Sequence, residues 1–175
     1  HRWLSEVAAI SARSTSVVKV NKCIYPMLPI PARAGGLERK FAEWADRDSS
    51  VAAFAKIDEY RHDFLHRPYL KADGMPAYYS PDFIVRDAES VFIVETKAQG
   101  ALSDANVLRK QKAAIAWVEQ LGQIEPEDRD DREWSYVLLG EGTFEEWRSK
   151  NASLIDLLQF ARLRRSEGPR QETLL

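Results

Sequence analysis

Two apolar runs in the middle of the chain, at 83–85 and 91–94, flank a polar stretch at 86–90. Short β-branched and aromatic runs separated by a few polar residues predict a hairpin. A turn near Ala88 and Glu89 places Asp82 opposite Glu95, and Ser80 opposite Lys97. Alternation along a strand puts Glu95 and Lys97 on one face and Thr96 on the other. Residues directly opposite also share a face, about 5 Å apart. Two carboxylates and an ammonium are thereby expected to converge at one edge of an apolar ribbon.

Elsewhere the apolar spacing switches between helical and extended. Leu37, Phe41, Trp44 and Ala45 recur at three and four, predicting a helix over 37–46 with Glu38 and Glu43 near its flanks. Trp3, Leu4, Val7, Ala8 and Ile10 predict a short amphipathic helix over 2–13, and the valines and prolines of 16–31 an extended connector. Ser49 is expected to cap a short helix through Phe54 and Ala55. Residues 64–70 read as a third strand, with Asp73 and Gly74 turning into the hairpin. Ser103 is a candidate cap for a helix to Leu121, whose buried stripe is Val107, Leu108, Ala114, Ile115, Val118 and Leu121. The apolar run 134–139 suits an interior strand. Thr143 with Glu146 reads as a capping box, and Asn151 as the cap of a last helix over 152–165. The order predicts an α/β fold with an αβββαβ core, a mixed sheet of four or more strands flanked by helices. A connector (1–35) packs on the core (36–165), and a polar tail follows (166–175).

Length and composition narrow the partners. The 175 residues suit one domain, with 45% hydrophobic and 30% charged residues. A net charge of −2 announces no nucleic-acid partner, so a DNA surface would have to be a local basic stripe. Arg109, Lys110 and Lys112 form such a cluster on the predicted long helix. The single cysteine, Cys23, excludes an internal disulfide and a cysteine-cluster zinc site, in keeping with a reducing, cytoplasmic setting. No apolar run reaches membrane-helix length, and no phosphate-loop signature for ATP is present. The chain begins at His1 rather than Met, as a piece of a longer protein would.

Asp82, Glu95 and Lys97 are costly in an apolar setting unless paired or bound to a metal. Carboxylate oxygens are hard ligands suited to Mg²⁺, which takes one or two carboxylates and keeps several waters. A neighbouring lysine can orient water or stabilise charge on a phosphate. The chemistry this favours is metal-assisted phosphodiester hydrolysis. His62 and His66, four apart, would converge as ligands only on a helix, and a structural role is the simpler expectation.

The arrangement Pro81-Asp82, twelve residues, then Glu95-Thr96-Lys97 resembles the PD-(D/E)xK nuclease superfamily. With LERKFAEWADRD, YYSPDFIV, VFIVETKAQG and RKQKAAIAWVEQLG around it, the span from about 36 to 140 is similar to the carboxy-terminal endonuclease domain of type III restriction enzyme Res subunits. The resemblance implies a restriction-endonuclease-like fold and a Mg²⁺ ion, with Mn²⁺ as a substitute. Asp82, Glu95 and the Thr96 carbonyl would be its ligands, and Lys97 would act on water or phosphate. It further implies an accessory carboxylate from the first helix, Glu38 or secondly Glu43, and a polar residue from the later helix, Gln111 or Lys112. Implied partners are double-stranded DNA, a helicase/ATPase region of the same chain and a modification (methyltransferase) subunit; none is a membrane. Two alternatives stand beside it: a catalytically silent docking module, and a structural Asp82–Lys97 ion pair.

Overall fold

The computed structural model describes residues 3–10, 17–30 and 36–163. In chain order the strands and helices are β1 (Val17–Lys19), β2 (Met27–Pro29), α1 (Leu37–Arg47), β3 (Ala53–Lys56), β4 (Arg67–Leu70), β5 (Pro76–Tyr79), β6 (Phe83–Arg86), β7 (Ser90–Lys97), α2 (Ala105–Gly122), β8 (Glu133–Gly140), α3 (Glu141–Ser149), α4 (Leu154–Ala161) and β9 (Arg162–Leu163). Five of the strands form one mixed sheet in the order β3-β6-β7-β8-β9, in which only β7 and β8 run parallel. The pairs β1–β2 and β4–β5 are separate antiparallel ribbons.

The predicted hairpin is the centre of this sheet. Phe83 faces Val94 and Arg86 faces Val91 across β6 and β7, the expected register. Asp87 sets the turn, its Oδ1 accepting from the Glu89 and Ser90 N–H groups at 2.8 and 2.6 Å. All of β7 is buried except Lys97, which explains its near-continuous apolar run. Phe92 and Val94 pack toward α1 with Phe41, Phe83 and Phe144; the Phe41 and Phe83 rings lie 4.7 Å apart. Ile93 packs the opposite way, with Tyr79, Ala114, Trp117 and Tyr136 beneath α2. Helices therefore cover both faces, and no helix among the described residues is long and apolar enough to cross a membrane.

Several expectations need correcting. The stretch expected to be a helix after Ser49 is β3, which pairs along β6 from Ala53–Arg86 to Lys56–Phe83 and is the true third strand of the meander. Its alanines favour a helix locally, but the unpaired edge of β6 rewards an extended chain. The 64–70 segment supplies β4, which pairs with β5 instead, because Gly74 (φ 81°) closes that ribbon on itself. Residues 4–6 form one 3₁₀ turn rather than an amphipathic helix, and 11–16 lie outside the described residues. Leu108 of the predicted stripe is 45% exposed. The last helix ends at Ala161 and gives way to the short edge strand β9; the tail lies outside the described residues.

The helix caps also move. Gly140 precedes α3, so Thr143 sits inside that helix, and Ser153 rather than Asn151 caps α4, accepting from the Asp156 N–H at 3.1 Å. Asp104 rather than Ser103 caps α2, its Oδ1 accepting from Asn106 N–H (2.8 Å) and Val107 N–H (3.2 Å). An Asp104→Ala variant is expected to lose about 1 kcal/mol. A lower urea midpoint with an unchanged slope would show it; an unchanged midpoint would refute the cap.

Candidate active site

Local backbone geometry decides where the three predicted side chains point. Glu95 and Lys97 project from the face of β7 that Ile93 also uses, toward α2. Lys97 Nζ lies 2.6 Å from Glu95 Oε1. The Glu95 side chain is only 4% exposed, and its other oxygen, Oε2, is buried with no hydrogen-bond partner.

Asp82 departs from the expectation that it shares this face. Its N–H donates to the Val94 carbonyl at 3.1 Å, the residue Phe83 already faces, so the chain slips out of register there. The carboxylate turns to the rim, where Oδ2 accepts from the Thr96 N–H (2.8 Å) and Oγ1–H (2.9 Å). Ser80, expected opposite Lys97, lies beyond the last registered pair, and its Oγ is buried without a partner. The postulated Asp82–Lys97 ion pair is replaced by two others. Lys97 pairs with Glu95, and Asp82 Oδ1 lies 3.8 Å from Lys56 Nζ.

Lys56 is the residue that sequence reasoning missed. At the end of β3 its ammonium sits 3.1 Å from Glu38 Oε2, and 5.0 Å from the centre of the Phe83 ring. Glu38 therefore reaches the cluster through Lys56, from the first turn of α1. Glu43 does not: it pairs with Arg39 at 3.0 Å and lines a different cleft with Arg47 and Arg148. Had residues 53–56 been read as a strand, Lys56 opposite Phe83 would have pointed to the same rim.

On α2, Lys110 recurs with Val107, Ala114 and Trp117 on the sheet-facing side, and its charge acts on Glu95. Gln111 is half-buried on the same flank, while Arg109 and Lys112 are exposed. Beneath Glu95 lie Tyr79 and Tyr136, whose buried hydroxyls meet no group but each other. Burial first, with Glu95 and Asp82 charges adding, pushes both phenols up, so they remain donors. His62 is fully buried, its Nε2 3.0 Å from the Tyr25 hydroxyl, and burial lowers its pKa. His66 stacks on Tyr78. Both rings are held by neighbouring protein groups.

Electrostatically the site is strained toward losing a charge. Burial, then the Asp82 carboxylate, raises the Glu95 pKa from 4.5 to about 7, with Lys97 and Lys110 opposing. Burial would lower Lys97, but the Glu95 carboxylate outweighs it and the ammonium is held above its usual range. An open cleft of about 320 Å³ reaches the rim, lined by Glu38, Lys56, Ser80, Pro81 and Asp82. Among the described residues, no three His, Cys, Asp or Glu side chains gather as a metal-sized group. Mg²⁺ does not require three, since one or two carboxylates and waters suffice. The orphaned Glu95 Oε2, close enough to Asp82 for the two charges to repel, fits a divalent cation.

No family model, curated protein or solved structure matches the chain at a significant level.

Proposed function

We propose that this chain is a Mg²⁺-dependent endodeoxyribonuclease domain with a restriction-endonuclease-like core, of the kind found at the end of type III Res subunits. The observation that carries the reading is Glu95: a carboxylate almost wholly buried, with one oxygen on Lys97 and the other on nothing. A buried acid with one oxygen unpartnered, set against a neighbouring acid, is a place for a cation. Asp82 and Glu95 would hold the ion, with the Thr96 carbonyl as a further ligand. When bound, the ion supplies Lewis-acid polarisation of a phosphoryl oxygen.

The remaining steps belong to the side chains. Thr96 holds Asp82 Oδ2 through two hydrogen bonds, leaving Oδ1 toward Lys56 and the cleft. Glu95, its pKa raised to about 7 by burial and Asp82, would be a ligand to the ion in its deprotonated form. Lys97, 24% exposed at the rim, would orient water or neutralise charge on a phosphate. Lys110, with Arg109 and Lys112 further round α2, would contact backbone phosphates of double-stranded DNA. The helicase/ATPase region and modification subunit belong to this proposal as partners of the longer protein.

The test is cleavage of supercoiled plasmid with Mg²⁺, halted by EDTA. Lys97→Ala is expected to reduce it about 10²-fold. Equal rates in both proteins would remove Lys97 from the mechanism. A second reading, a silent nuclease-fold docking module, is favoured by the ion pairs of Lys56 and Lys97, which satisfy much of the cluster internally. Calorimetric titration with Mn²⁺ separates the two, because a silent module gives no heat sensitive to Asp82→Ala.

A further inference from the structure

Lys56 is held in the rim cluster by two carboxylates and an aromatic face. Its ammonium lies between Glu38 Oε2, at 3.1 Å, and Asp82 Oδ1, at 3.8 Å, with the face of Phe83 beneath it. The side chain is 12% exposed, so the charge is fixed in place rather than ranging through solvent. Glu38, Asp82 and Glu95 face Lys56 and Lys97 in this cluster, and Lys110 acts on Glu95 from α2, so three carboxylates stand against three ammonium groups. Two-metal phosphodiesterases place their ions about 3.5–4 Å apart, bridged by a shared carboxylate. Asp82 is the acid here that could be shared: its charge acts on Glu95 on one side and Lys56 stands against it on the other.

We propose that Lys56 is a tethered substitute for a second divalent ion, holding the site to one metal and reserving Glu38 from coordination. The inference rests on the Asp82–Glu95 metal reading and specifies how that site is populated. Lys56 acts as a positioning residue: one fixed charge holds Asp82 Oδ1 and Glu38 Oε2 on the same ammonium. Removing the ammonium leaves Glu38 and Asp82 adjacent without a counter-charge, which is what a second hard divalent ion requires. The cluster then carries one more carboxylate than ammonium group, in favour of that ion.

The test counts Mn²⁺ bound per full chain, from the free-ion signal in electron paramagnetic resonance, for wild type, Lys56→Met and Lys56→Met/Glu38→Gln. Expected are one ion for wild type, two for Lys56→Met, and one again for the double variant. Mn²⁺ should also raise the melting temperature of Lys56→Met more than that of wild type, a readout independent of activity. Lys56→Gln, which keeps the length and polarity of the side chain, serves if the methionine variant does not fold. A single ion in wild type and in both Lys56 variants overturns the inference while leaving the Asp82–Glu95 site standing. No ion in wild type but one in Lys56→Met fails the Asp82–Glu95 site, and with it the claim that Lys56 holds that site to one metal. No ion in any protein ends both.

Discussion

Asp82→Ala is expected to lose plasmid cleavage by about 10³-fold and to unfold more easily, whereas Asp82→Asn should lose the cleavage alone. The two variants differ because Asp82 has two duties on two oxygens. Oδ2 accepts from the Thr96 N–H and hydroxyl, and an asparagine carbonyl oxygen can accept the same bonds. Alanine leaves both donors without a partner beneath a partly buried rim, at about 1–3 kcal/mol for the group. Oδ1 faces Lys56 and the cleft, and there only the charge matters. Thermal melts with Mn²⁺ titrations on the same samples check this. An Asp82→Asn protein that binds Mn²⁺ and cuts DNA like wild type would sink the proposed site, and one as unstable as Asp82→Ala would sink the division of labour.

The central ribbon was legible because both of its strands are buried, so apolar content and turn residues agree with the register that forms. α1 was legible for a similar reason: Leu37, Phe41, Ala42 and Ala45 make one buried face. What pattern could not supply was decided by pairing at a distance. Ala53–Lys56 is extended only because β6, about thirty residues later, offers an edge. Losing that strand hid Lys56, which on a helix is an ordinary surface lysine. The face of Asp82 depended on a one-residue slip, and a slip of one moves a side chain across the ribbon. On α2 the sequence offered four polar neighbours, and only the packing of Val107, Ala114 and Trp117 distinguishes Lys110 from the rest.

Glu95→Gln is expected to be more stable than wild type at pH 8, by about 2–3 kcal/mol, and nearly equal to it at pH 4.5. The sign follows from proton counting. With a folded pKa of about 7 against 4.5, the native state binds the extra proton between these values. Stability from this group is complete below pH 4.5 and is lost as pH rises through 7. The groups facing Glu95 set the size of the effect: Asp82 enlarges it, Lys97 and Lys110 reduce it, and the Tyr79 and Tyr136 phenols stay protonated throughout. His62 acts oppositely, since burial lowers its pKa and its contribution grows as pH rises toward 6.5. The quantity to read is therefore the difference between wild-type and Glu95→Gln unfolding free energies across pH 4.5–8, in which His62 cancels. Adding Mg²⁺ at pH 8 should close the gap by stabilising wild type alone, because under the proposed function the ion would take the place of the lost proton on Glu95. Two curves that run parallel in the absence of metal would mean that Glu95 is an ordinary carboxylate, and a Mg²⁺ shift equal in both proteins would place the ion elsewhere.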